Sequence, residues 1–316
     1  MHHRVAKVAG LVVVLVGVAG LSARPPAPGP DKSGKPPGDK TGKPTPGEKV
    51  RLVVEDFETR VYRGDNGKEL PYRLMQPVKD LDPNQMFPMV LILHGVGERG
   101  TDNKTPLLRT GIRELFTDKQ NRAKYPCYVV LPQCPLNGKW VDVNWNATKH
   151  AMREEPTETM RLVMELIASL RKELTIDPQQ IYVMGPSMGG FGVWDIICRQ
   201  VDLFAAAVPV SGGGDESQAP AIAKIPIWAF HGDSDNIVKP DWSRRMIAAI
   251  RKTGGDPKYT EYKDTGQGAW AKTLAEPDLL KWLFEQKREK PTTQPTQPAA
   301  DPATRPAAKS GPPELR

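Results

Sequence analysis

The chain is poor in the side chains that build covalent or metal-based chemistry. It has three cysteines in 316 residues. Cys127 and Cys134 flank YVVLP, which reads as a strand; extended chain of that length spans ~23 Å at ~3.3 Å per residue, beyond the reach of a disulfide. Cys198 falls in a helical pattern. No disulfide framework is indicated, and all three thiols are expected to pack as small apolar groups. No residues have metal-ligand spacing, so neither metal nor cofactor is expected. Net charge is also absent where a nucleic-acid binder would need it. The formal +7 lies in residues 1–23 (+2), 24–49 (+3) and 290–316 (+2), leaving residues 50–289 neutral. The basic excess is thus carried outside the folded part, and nucleic acid is not the expected partner. Histidine is scarce as well, with five in all.

What is present divides the chain into four parts. Residues 1–23 have a charged start, an apolar run from Val8 to Leu21 and then small residues. That pattern suits a secretory signal cleaved near Gly20 to Ala23. The lack of an A-x-A site leaves an uncleaved N-terminal anchor as the alternative. Export to the periplasm, cell envelope or medium is the expectation. Residues 24–49 and 290–316 are rich in Pro with almost no apolar side chains, and read as a solvated linker and a disordered tail. Their basic character suits at most weak association with an envelope polymer or anionic lipid. Residues 50–289 remain for one domain.

Within that domain the elements alternate. VRLVVEDFETRVYR (50–63) and KELPYRLMQP (68–77) read as strands joined by the turn signal DNG at 65–67. PMVLILHG (88–95) and CYVVLP (127–132) are unbroken apolar runs that suit strands buried on both faces. Residues 156–174 place Met160, Val163, Met164, Ile167, Leu170 and Leu174 at helical spacing, with Pro156 in the first turn. Strand 181–185, helix 188–200, strands 205–212 and 225–232, helix 240–253, strand 258–263 and a helix near 276–288 follow. An antiparallel hairpin followed by strand–helix alternation predicts an α/β fold with a mostly parallel twisted sheet and helices on both faces.

GPSMGG (185–190) fits G-x-S-x-G, placed after a strand and at the start of a helix, the context the pattern requires. A sharp turn there presents the Ser187 hydroxyl above the sheet, at a helix N-terminus that favours negative charge. Around this centre lie LILHGVGERGTDN (91–103), YPCYVVLPQCP (125–135), LFAAAVPVSGGGD (203–215), IPIWAFHGDSDNIV (225–238) and GGDPKYTEYKDTGQGAW (254–270). On these motifs, in this order, residues from about Tyr72 to Lys287 resemble the α/β-hydrolase superfamily. The likeness is to its secreted peptidase-like, carboxylesterase and phospholipase-like members, in the prolyl-oligopeptidase and dienelactone-hydrolase branches.

The resemblance implies that Ser187 is a nucleophile and that the backbone N–H groups of Met188 and Val96 form an oxyanion hole. It implies that Asp235, which matches H-G-x-x-D-x-x-V, is the orienting carboxylate. His94, Gly95, Trp140, His150 and Trp270 become candidate pocket residues, with His94 also suited to holding its loop by hydrogen bonds. The resemblance also implies a histidine after strand 258–263, in G-H-x-x-W; the chain instead has Gly266-Gln267-Gly268-Ala269-Trp270. A carboxamide cannot take a proton near neutral pH, yet it can donate to Asp235 and accept from Ser187. Three alternatives follow. The chain is an ester hydrolase impaired by Gln267, a hydrolase whose base is His150 or His231, or a binding protein that keeps the pocket without the chemistry. Small esters are expected over peptides, because residues 24–77 offer no gating domain.

Overall fold

The computed structural model describes residues 56–78, 84–145 and 147–289. The expectations for residues 1–23, 24–49 and 290–316 lie outside these. Eight strands form one sheet: β1 (Phe57–Arg63), β2 (Glu69–Met75), β3 (Phe87–Ile92), β4 (Tyr128–Pro132), β5 (Ile176–Pro186), β6 (Ala206–Val210), β7 (Trp228–Gly232) and β8 (Lys258–Tyr262). Their spatial order is β1-β2-β4-β3-β5-β6-β7-β8. β1, β2 and β4 pair antiparallel, and every pairing from β4 through β8 is parallel.

The apolar runs act as their composition requires. In β3, Met89 and Leu91 join the core on one face of the sheet, while Val90 and Ile92 join the core on the other, the period-two alternation of a pleated strand. The helices between β3 and β4 are α1 (Thr105–Arg109), α2 (Ile112–Thr117) and α3 (Lys119–Lys124). Each is too short to show a helical period in sequence, and none was expected. Helix α4 (Glu158–Glu173) buries Met160, Val163, Ile167 and Leu170. Its N-cap is Thr157, whose hydroxyl accepts from the Met160 N–H at 3.1 Å. Pro156 therefore precedes the cap and is not the first helical residue. Helix α5 (Met188–Arg199) follows β5, α6 (Ala219–Ile222) follows β6, and α7 (Asp241–Lys252) follows β7. The helix expected near 276–288 is α9 (Leu279–Glu285), and a further short helix, α8 (Ala269–Leu274), precedes it. Pro277, which has no N–H to donate, stands between them.

From β3 the chain moves outward to β4, then returns to the other side of β3 to place β5. Neighbouring connections thus diverge at β3 and β5, and in open α/β sheets ligands bind at the carboxyl ends of the strands at such a point. The loops that begin at Leu93 and at Ser187 face each other there.

Candidate active site

Ser187 occupies the turn between β5 and α5 with φ 54° and ψ −117°. A left-handed φ on a non-glycine residue costs ~1–3 kcal/mol and persists only where surroundings over-determine it. Two neighbours do so. The Ser187 N–H donates to the Val210 carbonyl at 2.8 Å, and any Cβ on Gly189 would overlap the Leu93 carbonyl at the end of the adjacent strand. The serine side chain makes no capping bond to α5, so its hydroxyl is not committed to holding the helix.

The facing loop is built on His94. The Cys134 N–H donates to His94 Nε2 at 3.0 Å, which leaves Nδ1–H to donate to the Gly95 carbonyl at 2.6 Å. Trp140 packs edge-on to the imidazole at 5.1 Å between centroids and donates its indole N–H to the His94 carbonyl at 2.8 Å. Burial lowers the His94 pKa to about 4, the Gly95 carbonyl opposing it. His94 and Trp140 are both fully buried. The expectation that they line the pocket is corrected: both ring nitrogens of His94 and the one indole N–H are spent on the backbone beneath the loop. Gly95 stays at the loop's base, and Val96 is exposed.

Sequence reasoning missed the residues that hold the rest of this loop. Asn103 Nδ2 donates to the Arg60 and Tyr72 carbonyls, and the Arg73 guanidinium donates to the carbonyls of Asn103 and Phe57. Gln133 Nε2 donates to Asp102 Oδ1 and to the Glu98 carbonyl. Burial works against the charge on Asp102, but hydrogen bonds from Thr105, Lys104 and Gln133 outweigh it and hold this carboxyl well below the usual range. The polar run ERGTDN was the available signal, but its partners lie on β1, on β2 and after β4.

Asp235 lies in the loop after β7, fully buried. Its Oδ1 accepts from the N–H groups of Ile237 at 2.9 Å and Val238 at 3.0 Å. Gln267 Nε2 donates to Oδ1 at 3.0 Å and Oδ2 at 3.2 Å. The loops meet because Gly232 has no Cβ: one there would overlap the carbonyls of Thr265 and Gly266. The Ser234 N–H then donates to the Thr265 carbonyl at 3.0 Å. Among the described residues no hydrogen bond joins Gln267 to Ser187, so one of the two bonds open to the carboxamide is formed.

The other histidines are placed elsewhere. His231 is fully buried, with Nδ1 2.7 Å from Ser243 Oγ and Nε2 2.9 Å from the Val238 carbonyl; its Nε2 is 3.8 Å from Asp235. Burial lowers its pKa. His150 is half-buried beside a cavity of about 510 Å³ whose lining includes Asp142, Arg153, Asp195 and Arg199. Burial lowers its pKa, opposed by Asp195, Asp215 and Asp142. Asp195 is eight residues along α5 from Ser187, ~12 Å at 1.5 Å per residue. His231 has both ring nitrogens engaged by Ser243 and the Val238 carbonyl, and among the described residues no hydrogen bond joins either histidine to Ser187. Trp270 is half-buried and donates its indole N–H to the Thr110 carbonyl at 2.6 Å, tying α8 to the segment between α1 and α2. All three thiols are free, and burial raises the pKa of Cys134 and Cys198 to about 12. Among the described residues no group of His, Cys, Asp and Glu could hold a metal ion.

A family model described as the Dienelactone hydrolase family matches residues 122–275. A solved thermostable esterase is 36% identical with a TM-score of 0.70, over 75% of this chain and 64% of its own. The chain belongs to the α/β-hydrolase superfamily. Of curated relatives, the bifunctional acetylxylan esterase/xylanase XynS20E of Neocallimastix patriciarum is 29% identical over 82 residues, covering 26% of this chain and 12% of that protein. A protein of Arthroderma benhamiae described as an uncharacterized secreted protein is 23% identical over 259 residues, covering 71% of this chain and 26% of that one. This α/β-hydrolase thus spans a small part of these curated relatives and under two thirds of the solved esterase. Among the described residues no helix is long and apolar enough to cross a membrane.

Proposed function

We propose that this chain is a serine hydrolase of carboxylic esters in which Gln267 stands in the position of the imidazole base. Ser187 is the nucleophile, the N–H groups of Met188 and Val96 are the oxyanion donors, and Asp235 is the carboxylate. The observation that carries this reading is the Gln267 amide donating to both oxygens of Asp235. An imidazole N–H would make such a bond to a triad carboxylate. A carboxamide makes it too, but cannot then accept a proton from serine. The frame is kept and the proton transfer is slow.

Esters are favoured over peptides for a related reason. A phenolate leaves without a proton, whereas an amine must be protonated to leave, and the Gln267 carboxamide cannot do so. Small acyl esters with good leaving groups are the proposed substrates. Export through residues 1–23, and weak envelope attachment through the basic segments 24–49 and 290–316, are proposed from composition, in line with the secreted relative.

The test is hydrolysis of p-nitrophenyl acetate. Gln267→His is expected to raise the Ser187-dependent rate at least about 100-fold, the lower range of general-base catalysis. Ser187→Ala is expected to return that variant to the buffer rate. A wild-type chain already as fast as Gln267→His overturns the reading. If neither protein is labelled at Ser187 by a fluorophosphonate, the pocket is better read as a binding site without turnover.

A further inference from the structure

The loop after β3 carries a carboxylate that has no task in the scheme above. Glu98 closes the short 3-10 turn Val96–Glu98, and its N–H reaches back to the Gly95 carbonyl at 3.4 Å. That fold brings its side chain over Gly95. A methyl group placed on Gly95 would lie 3.1 Å from Glu98 Oε2 and 4.0 Å from Ser187 Cβ. The two side chains therefore flank the same face of one glycine, and these lengths bound the Oε2-to-Cβ separation at about 7 Å. A rotamer change or one water bridges such a gap.

Glu98 is half-buried, and its carboxylate has no hydrogen bond or ion pair among the described residues. The charged groups around it are otherwise engaged. The Arg99 guanidinium donates to the carbonyls of Val96 and Gly138, Asp102 is held by Thr105 and Gln133, and both nitrogens of His94 are bonded.

We propose that Glu98 is the proton acceptor that Gln267 cannot be, so that the residual ester hydrolysis of this chain runs through a serine–carboxylate pair. This rests on the hydrolase reading above. In acylation the Ser187 proton passes to Glu98 Oε2, directly or through one water, as the serine oxygen bonds to the acyl carbon and the carbonyl electron pair moves to oxygen. Collapse of that oxyanion breaks the ester bond, and the proton leaves with the alcohol or with solvent. In deacylation water gives its proton to Glu98, hydroxide adds to the acyl carbon, and Ser187 leaves and recovers a proton. The carboxylate is neutral at the moment the adjacent oxyanion forms, so the two negative charges never face each other.

The experiment compares Glu98→Gln in two backgrounds with p-nitrophenyl acetate, subtracting the rate of Ser187→Ala. In the wild-type background the Ser187-dependent rate is expected to fall at least about tenfold, and Glu98→Asp to retain part of it. In the Gln267→His background the same change is expected to cost less than about threefold, because the imidazole takes over. An unchanged wild-type rate in Glu98→Gln overturns the proposal, and so does an equal loss in both backgrounds, which would mark a structural role. A wild-type rate no higher than that of Ser187→Ala overturns it while leaving the hydrolase reading intact if Gln267→His is active. Failure of Gln267→His alone counts against that reading and not against Glu98.

Discussion

The two halves of the site are held in different ways. Ser187 is clamped by backbone: its N–H is bonded to β6, and Gly189 lies against the Leu93 carbonyl where no side chain fits. Gln267 is attached to Asp235 through one side-chain amide, on a loop where the residue itself is exposed. The first half cannot change without disturbing the packing of β3, β5 and β6. The second can exchange one side chain and leave the fold as it is. An altered residue is therefore tolerable at position 267 in a way it is not at 185–190, and the consequence is chemical, not structural.

Four measurements break or sharpen this contrast. The largest effect is expected from Gly189→Ala. A methyl overlapping a strand carbonyl should cost more than about 4 kcal/mol, the range of exceptional single substitutions, or prevent folding altogether. Soluble yield and a urea denaturation curve measure it, and a near-wild-type midpoint would show that the elbow is not clamped. Next comes Gln267→His, at least about 100-fold in ester hydrolysis with little change in denaturation midpoint; a large loss of stability would mean the amide is structural after all.

Third is pH. Burial lowers the His94 pKa to about 4, below the unfolded value near ~6.5, so the unfolded chain binds more protons between these limits. Stability is present above the unfolded pKa and is lost as pH falls toward about 4, by up to about 3 kcal/mol from this residue. His231, whose pKa burial also lowers, adds to the same trend. Urea midpoints between pH 7.5 and about 4.5 should show the decline, and His94→Gln should flatten it. The smallest effect is expected from Gln267→Ala. Asp235 keeps two backbone N–H bonds, so the loss should be about 1 kcal/mol, that of one hydrogen bond, read from the same curves.

Much of this was legible in the chain. The unbroken apolar runs at 88–95 and 127–132 become β3 and β4, and G-x-S-x-G between a strand and a helix places Ser187. Short helices α1 to α3 were not legible, because five or six residues do not display a period of 3.6. Nor were the tasks of His94 and Trp140. A strand-end histidine reads equally as pocket or prop until its partners are known, and Cys134, which fixes its tautomer, is 40 residues away.

By itself, the sequence determined the order of the parts, the turn that exposes Ser187, and the absence of any histidine after β8. These rest on local chemistry, the period of a strand or the room a glycine leaves, which neighbouring residues spell out. Tertiary structure alone decided that Gln267 reaches Asp235 and not Ser187, that both nitrogens of His231 are engaged by Ser243 and Val238, and that Glu98 folds back over Gly95. Each of those depends on which loops the sheet brings together at the ends of its strands. That is settled by packing between residues remote in the chain, as at Gly232, where the lack of a side chain lets the loop from β8 close on the loop from β7.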